Sequence, residues 1–257
     1  MKRGQGALFL SILLIAVAII IFSSLQFHWS KSIEKKSELE FKEDLYVTSN
    51  ALKVAALYVR SSLDFSVYQA MYDTGKNGGW ATKKNELNMN RDEVRNVLRK
   101  KIADNMQNYT NRNYVFLGKV IRFPALNESN IAVEELSNEY LNVSITTQDN
   151  IYFEEVKTTA TEKKSVRLEI SPNLNRIYDF KFFSLYEKSK KVFGEINDCR
   201  DEKRIDGNYE ITINADKKIK PCTINVIITD TSREFPVFNG TGVSFEPISF
   251  EYLVKIT

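Results

Sequence analysis

The side chains able to do chemistry are few and far apart. His28 is the one histidine in the chain. It sits at the edge of an apolar run, where an imidazole reads as an interfacial residue, since a base or a metal ligand needs partners. A hydrolytic triad therefore lacks its base, and zinc sites fail for the same reason. Glu134 with Glu135, and Glu154 with Glu155, are sequence neighbours. On a strand such neighbours point to opposite faces and cannot share one acid–base task. Calcium loops of the DxDxDG kind are absent, and TGKNGGW, Thr74 to Trp80, places its lysine wrongly for a phosphate loop. Trp80 reads either as a ligand-stacking aromatic or as a loop residue folded back on the core. The expectation is a non-enzyme with no catalytic residue, no metal and no cofactor.

Two further residue sets bear on compartment and modification. Cys199 and Cys222 lie far from any CxxC pattern, which leaves a disulfide, favoured in an oxidising compartment, or two separate buried thiols. The triplets NYT, NES, NVS and NGT make Asn108, Asn127, Asn142 and Asn239 candidate N-glycosylation sites. Lys and Arg number 36 against 33 Asp and Glu, a net charge of +3 spread along the 257 residues. That balance leaves no footprint for nucleic acid.

The elements that carry these residues begin at the N-terminus. From Ala7 to Phe27 the chain reads ALFLSILLIAVAIIIFSSLQF, uncharged throughout. About twenty apolar residues in a helix match a hydrocarbon core of roughly 30 Å. A single transmembrane helix over 7–27, with the lipid bilayer as partner, is the expectation. The run ends in SSLQFHW rather than in a small-residue cleavage site, which favours a retained signal anchor over a cleaved signal peptide. Lys2 and Arg3 before the run nearly balance Lys31, Lys35 and Lys36 after it, so charge alone does not orient it.

The pattern KRGQG ahead of the run resembles the class III signal peptide of archaeal type IV pilins and prepilin-like proteins. The resemblance covers the first thirty residues. It implies processing by a prepilin-type peptidase between Gly4 and Gln5, a cytoplasmic N-terminus, and a domain outside the cell membrane able to meet other pilin-like subunits. Phe9 stands where many pilins carry a register-setting glutamate, and Ala7 where a serine is frequent.

Residues 28–73 read as a charged stalk and then a long amphipathic helix. Phe41, Leu45, Leu52, Ala56, Val59, Leu63, Val67 and Met71 recur at helical steps, and a break is expected near the membrane surface. The stripe after Leu52 is expected to pack on the protein's own sheet. Residues 74–257 form an extracytoplasmic α+β domain, opened by an exposed glycine loop. Asn90 caps a second helix carrying Val94, Leu98, Ile102 and Met106. Period-two segments then predict an antiparallel sheet: YVFLGKVIRF, EYLNVSITT, NIYFEEV, KSVRLEI, NYEITIN, CTINVIITD and ISFEYLVKIT. A third helix is expected within 177–196, CRDEKRIDGN reads as a charged loop, and Asn239 with Gly240 as a hairpin turn.

The fold class is thus α+β, and the function a membrane-anchored extracytoplasmic structural protein, pilin-like or accessory to a type IV pilus-like surface system. The other class is a signal-anchored surface binding protein or adhesin that forms no filament.

Overall fold

A computed structural model describes the backbone of residues 3–82, 86–158 and 163–257, and their side chains except at 3–22, 27–29, 32–39, 156–158 and 163–165. The chain divides into two compact units, Met1–Asn50 and Ala51–Thr257. The first helix, α1 (Arg3–Lys76), is assigned as one element, without the expected break.

Among the described residues no helix is long and apolar enough to cross a membrane, which corrects the expectation of a single transmembrane helix as the first element of the fold. The physical reason lies in the described part of α1, where Glu40, Lys42, Glu43, Asp44, Lys53, Arg60, Asp64, Asp73 and Lys76 interrupt every apolar stretch. The side chains of 7–22 and of 27–29, on which most of the expected span falls, lie outside the described residues, and His28 with them. In the first unit, Phe41 and Leu45 are exposed.

From Ala51 onward α1 forms a core. Ala51, Leu52, Ala55, Val59, Leu63, Val67, Ala70 and Met71 are all buried, at the three- and four-residue steps that line one face of a helix. Burying each large member stabilises by about 1.5–3 kcal/mol. The interleaved Ala51, Ala55, Ser62, Ser66 and Ala70, also buried, are small enough to let neighbouring elements approach closely. The second helix, α2 (Arg91–Thr110), buries Val94, Leu98, Ile102 and Met106, and its Asn90 cap accepts from the Asp92 and Glu93 backbone N–H groups.

The loop that ends α1 is packed rather than open. Gly75, Gly78 and Gly79 are buried, and a Cβ at Gly75 would stand 2.1 Å from the Ser249 carbonyl oxygen. Gly78, at φ +63°, leaves 2.5 Å to the Glu86 carbonyl oxygen. The glycines are there because other backbone lies against them.

Thirteen strands follow among the described residues: β1 (Tyr114–Phe116), β2 (Lys119–Ile121), β3 (Ile131–Glu135), β4 (Tyr140–Ile145), β5 (Ile151–Thr158), β6 (Lys163–Ile170), β7 (Leu174–Asp179), β8 (Glu202–Asp206), β9 (Tyr209–Ala215), β10 (Cys222–Asp230), β11 (Phe235–Phe238), β12 (Val243–Glu246) and β13 (Ser249–Ile256). They form several antiparallel sheets, one of them four-stranded. One runs β13-β10-β9-β8, another β3-β4-β7, and β1 with β2, β5 with β6, and β11 with β12 make two-stranded pairs. Alternation fixes the faces: Ile224, Val226 and Ile228 on β10 join Ile211 and Ile213 on β9 and Phe250 and Tyr252 on β13 in the core.

The third helix, α3 (Phe182–Glu195), covers that sheet, with the Phe182 and Phe250 rings 5.3 Å apart and the Tyr252 hydroxyl donating to Ser189 O at 2.9 Å. Lys181, just ahead of it, takes a φ of +52°, which breaks the chain away from β7.

Candidate functional site

Cys199 lies between α3 and β8, and Cys222 opens β10. The two form a disulfide with Cα atoms 6.0 Å apart. The bridge clips the segment ahead of β8 to the start of β10, an interior strand rather than the sheet edge. No described cysteine is free.

Asp64 on α1 accepts from the Tyr178 hydroxyl at 2.8 Å and from Arg176 at 3.1 and 3.2 Å, both on β7. Burial, then the Asp64 carboxylate, pushes the Tyr178 phenol well above its ordinary value. Arg91 at the start of α2 donates to Glu135 on β3, to Glu187 on α3 and to Asn138, joining three elements. The neighbour Glu134 accepts from Asn142 instead. The adjacent carboxylates thus serve separate tasks, as strand geometry requires. Both networks tie separate elements of the domain together.

A cleft of about 250 Å³ lies at the end of α2, lined by Gln107, Thr110, Asn111, Arg112, Asn113, Phe123 and Ala125. The helix closes with the Asn111 N–H donating to Gln107 O, and the following 111–113 turn is exposed. Phe123 supplies the apolar wall and belongs to an aromatic group with Tyr58 (5.7 Å) and Tyr114 (5.5 Å). The Tyr58 hydroxyl donates to Tyr114 at 2.8 Å, and burial together with that bond pushes the Tyr58 phenol up to about 12. Amides, a guanidinium and a ring face can hold a polar organic ligand by hydrogen bonds and stacking. The hydroxyl in that lining, on Thr110, donates to Met106 O at 3.0 Å.

The other residues singled out by sequence are dispersed. Trp80 is half-buried, with its indole N–H donating to Glu86 O at 3.1 Å. Gly4 and Gln5 lie in the opening turns of α1, with their side chains outside the described residues. Among the described residues no group of His, Cys, Asp and Glu could hold a metal.

The four sequons differ in setting. Asn142 sits on the middle strand of β3-β4-β7. Asn108 lies in α2, and its sequon hydroxyl, on Thr110, is buried. Asn127 is exposed and accepts from the Ser129 N–H and hydroxyl. Asn239 is exposed at a hairpin tip. The cleft was missed from sequence because its members share no motif; the one available signal was the polar QNYTNRN run following the apolar face of α2.

No protein family matches this chain, and neither does any curated protein or solved structure.

Proposed function

We propose that this protein is an extracytoplasmic structural component of the cell envelope, pilin-like or accessory to a type IV pilus-like surface system. The observation that carries the reading is the double use of α1. The helix that begins at the KRGQG pattern supplies, from Ala51 onward, the buried spine of a disulfide-closed antiparallel domain. A cut between Gly4 and Gln5 removes only Arg3 and Gly4 from that helix. The disulfide supports placement of the domain in an oxidising compartment outside the cytoplasm. A prepilin-type peptidase and other pilin-like subunits are the partners this reading names.

Mass spectrometry of the native N-terminal peptide tests it. A mature chain starting at Gln5 is the expected result, and a chain still starting at Met1 overturns the processing route. Electron microscopy of filaments sheared from the cell surface then separates a filament subunit from an accessory one.

The Gln107–Ala125 cleft favours a second reading, a surface binding protein that forms no filament. Saturable binding of a glycan, lost in Arg112→Ala and Phe123→Ala proteins that stay folded, would support it. Cleaved chains recovered in filaments would count against it.

A further inference from the structure

The hairpin β11–β12 has one face in the core and one bare. On the inner face Val237 is buried, and the Phe235 ring packs 4.9 Å from Phe180 and 5.3 Å from Tyr68. On the outer face the cross-strand pairs Phe238 with Val243 and Pro236 with Phe245 line up. Phe238, Val243 and Phe245 there are 59%, 71% and 68% exposed. The outer backbone edge of β11 is engaged at Phe238, whose N–H donates to Gln69 Oε1 at 2.7 Å and whose carbonyl accepts from Gln69 Nε2 at 3.2 Å. Beyond β11, β12 has no strand neighbour among the described residues. An open apolar edge of this kind templates association with other chains unless something covers it.

The turn that closes this strip carries the sequon Asn239-Gly240-Thr241. Asn239 and Thr241 are exposed, and Gly240 takes φ +94°. Asn239 Oδ1 accepts from the Thr241 hydroxyl at 2.8 Å and from its N–H at 3.2 Å, while Nδ2 donates to Ser244 Oγ at 3.1 Å. The amide has two hydrogens, so one stays with Ser244 and the other is free to be replaced.

We infer that Asn239 is N-glycosylated and that the glycan covers the bare Phe238–Val243–Phe245 face. The reading rests on the extracytoplasmic placement of the domain. The donor is a lipid-phosphate-linked oligosaccharide. Its C1–O bond to phosphate breaks, a C1–Nδ2 bond forms, and the displaced amide proton leaves with the phosphate. The ring faces of Phe238 and Phe245 attract the positively polarised C–H bonds of the first sugars.

The other sequons differ in setting. Asn142 lies on a central strand, and the Thr110 hydroxyl that Asn108 needs is buried. Asn127 shares the exposed Oδ1 arrangement, accepting from the Ser129 N–H and hydroxyl, but it caps the turn at 128–130 and does not close the β11–β12 strip.

Glycopeptide mass spectrometry of the protein from its own cells, with the redox state of Cys199 and Cys222 read in the same sample, is the test. Asn239 carrying glycan in most molecules, with Asn142 bare, is expected. Asn239→Gln and Thr241→Ala each abolish the modification at this site and produce concentration-dependent larger species in sedimentation, while Asn239→Gln combined with Val243→Thr and Phe245→Thr returns a single species. A bare Asn239 in the native protein overturns the inference. Oxidised cysteines in that sample leave the placement standing, and free thiols remove it as well. Glycosylated protein whose Asn239→Gln form remains a single species at all concentrations overturns the covering role.

Discussion

The Tyr178 hydroxyl donates to Asp64 Oδ1 at 2.8 Å, fixing strand β7 to the part of α1 that forms the core. Arg176 reaches both oxygens of the same carboxylate, so one acidic side chain satisfies two partners from one strand. Asp64 is 22% and Arg176 30% exposed at the side chain. Removing the carboxylate leaves a buried phenol and a guanidinium without their acceptor. Asp64→Ala is expected to destabilise by about 1–3 kcal/mol in chemical denaturation, and Asp64→Asn by less, because an amide oxygen still accepts.

Tyr58, Tyr178, Tyr186 and Tyr252 all have phenols held above their ordinary value, chiefly by burial, with Tyr58 and Tyr186 at about 12. The folded protein keeps these protons at a pH where the unfolded chain, titrating near 10, loses them. Their contribution is therefore fully present below about pH 10 and declines as pH rises from there through the folded values. Urea midpoints measured from pH 8 to pH 12 are expected to be flat at first and then to fall above about pH 10. A midpoint that rises over the upper range would contradict the assignment.

The Tyr186 side chain is fully buried, yet its hydroxyl has no hydrogen-bond partner among the described residues. An unsatisfied buried hydroxyl carries a desolvation cost of about 1–3 kcal/mol. Tyr186→Phe removes that group and keeps the ring between Phe183 and Phe250. The variant is expected to match or exceed the parent in thermal midpoint.

Gly75 tests the packing of the loop that ends α1. With Ser249 O 2.1 Å from where a Cβ would stand, Gly75→Ala forces helix and strand apart and is expected to cost about 3 kcal/mol, at the upper end of overpacking effects. Gly194→Ala in α3, where a Cβ meets nothing within 4 Å, serves as a control for a helical glycine without a close neighbour.

The parts of this fold that were legible in the sequence are those where local pattern and burial agree. α2 shows its Asn90 cap and its four-residue apolar steps, the α1 stripe is buried from Leu52 on, and the Asn239-Gly240 turn sits at a hairpin tip. The pairing of Cys199 with Cys222 also follows the sequence expectation.

What stayed hidden had no such agreement. Strand β8 is a charged edge strand whose neighbours lie on one side only, so it shows no apolar alternation and reads as loop. Strand β7 runs into an aromatic cluster, and the break before α3 falls on Lys181, a residue type that does not announce positive φ. YVFLGKVIRF is a hairpin and not one strand, because Leu117 and Gly118 both take positive φ, and a leucine there gives no warning. The membrane-spanning helix was inferred from 7–27 alone, whereas α1 from Glu40 on, where its side chains are described, carries charges along its length. The candidate cleft depends on a turn at 111–113 meeting Phe123, a juxtaposition that only the fold creates.

The disulfide closes a long loop of the domain. Closing a loop over a separation of 23 residues is worth about 3 kcal/mol in the chain-entropy account. Cys199→Ser with Cys222→Ser is expected to lower stability by that order, as read from the denaturation midpoint, while leaving the fold intact.

Differential alkylation of thiols in intact cells, followed by mass spectrometry of the Cys199 and Cys222 peptides, tests the extracytoplasmic placement most directly. The account predicts one disulfide-linked peptide pair and no alkylated thiol before reduction. Two freely alkylated cysteines in the native protein would place the domain in a reducing compartment and contradict it.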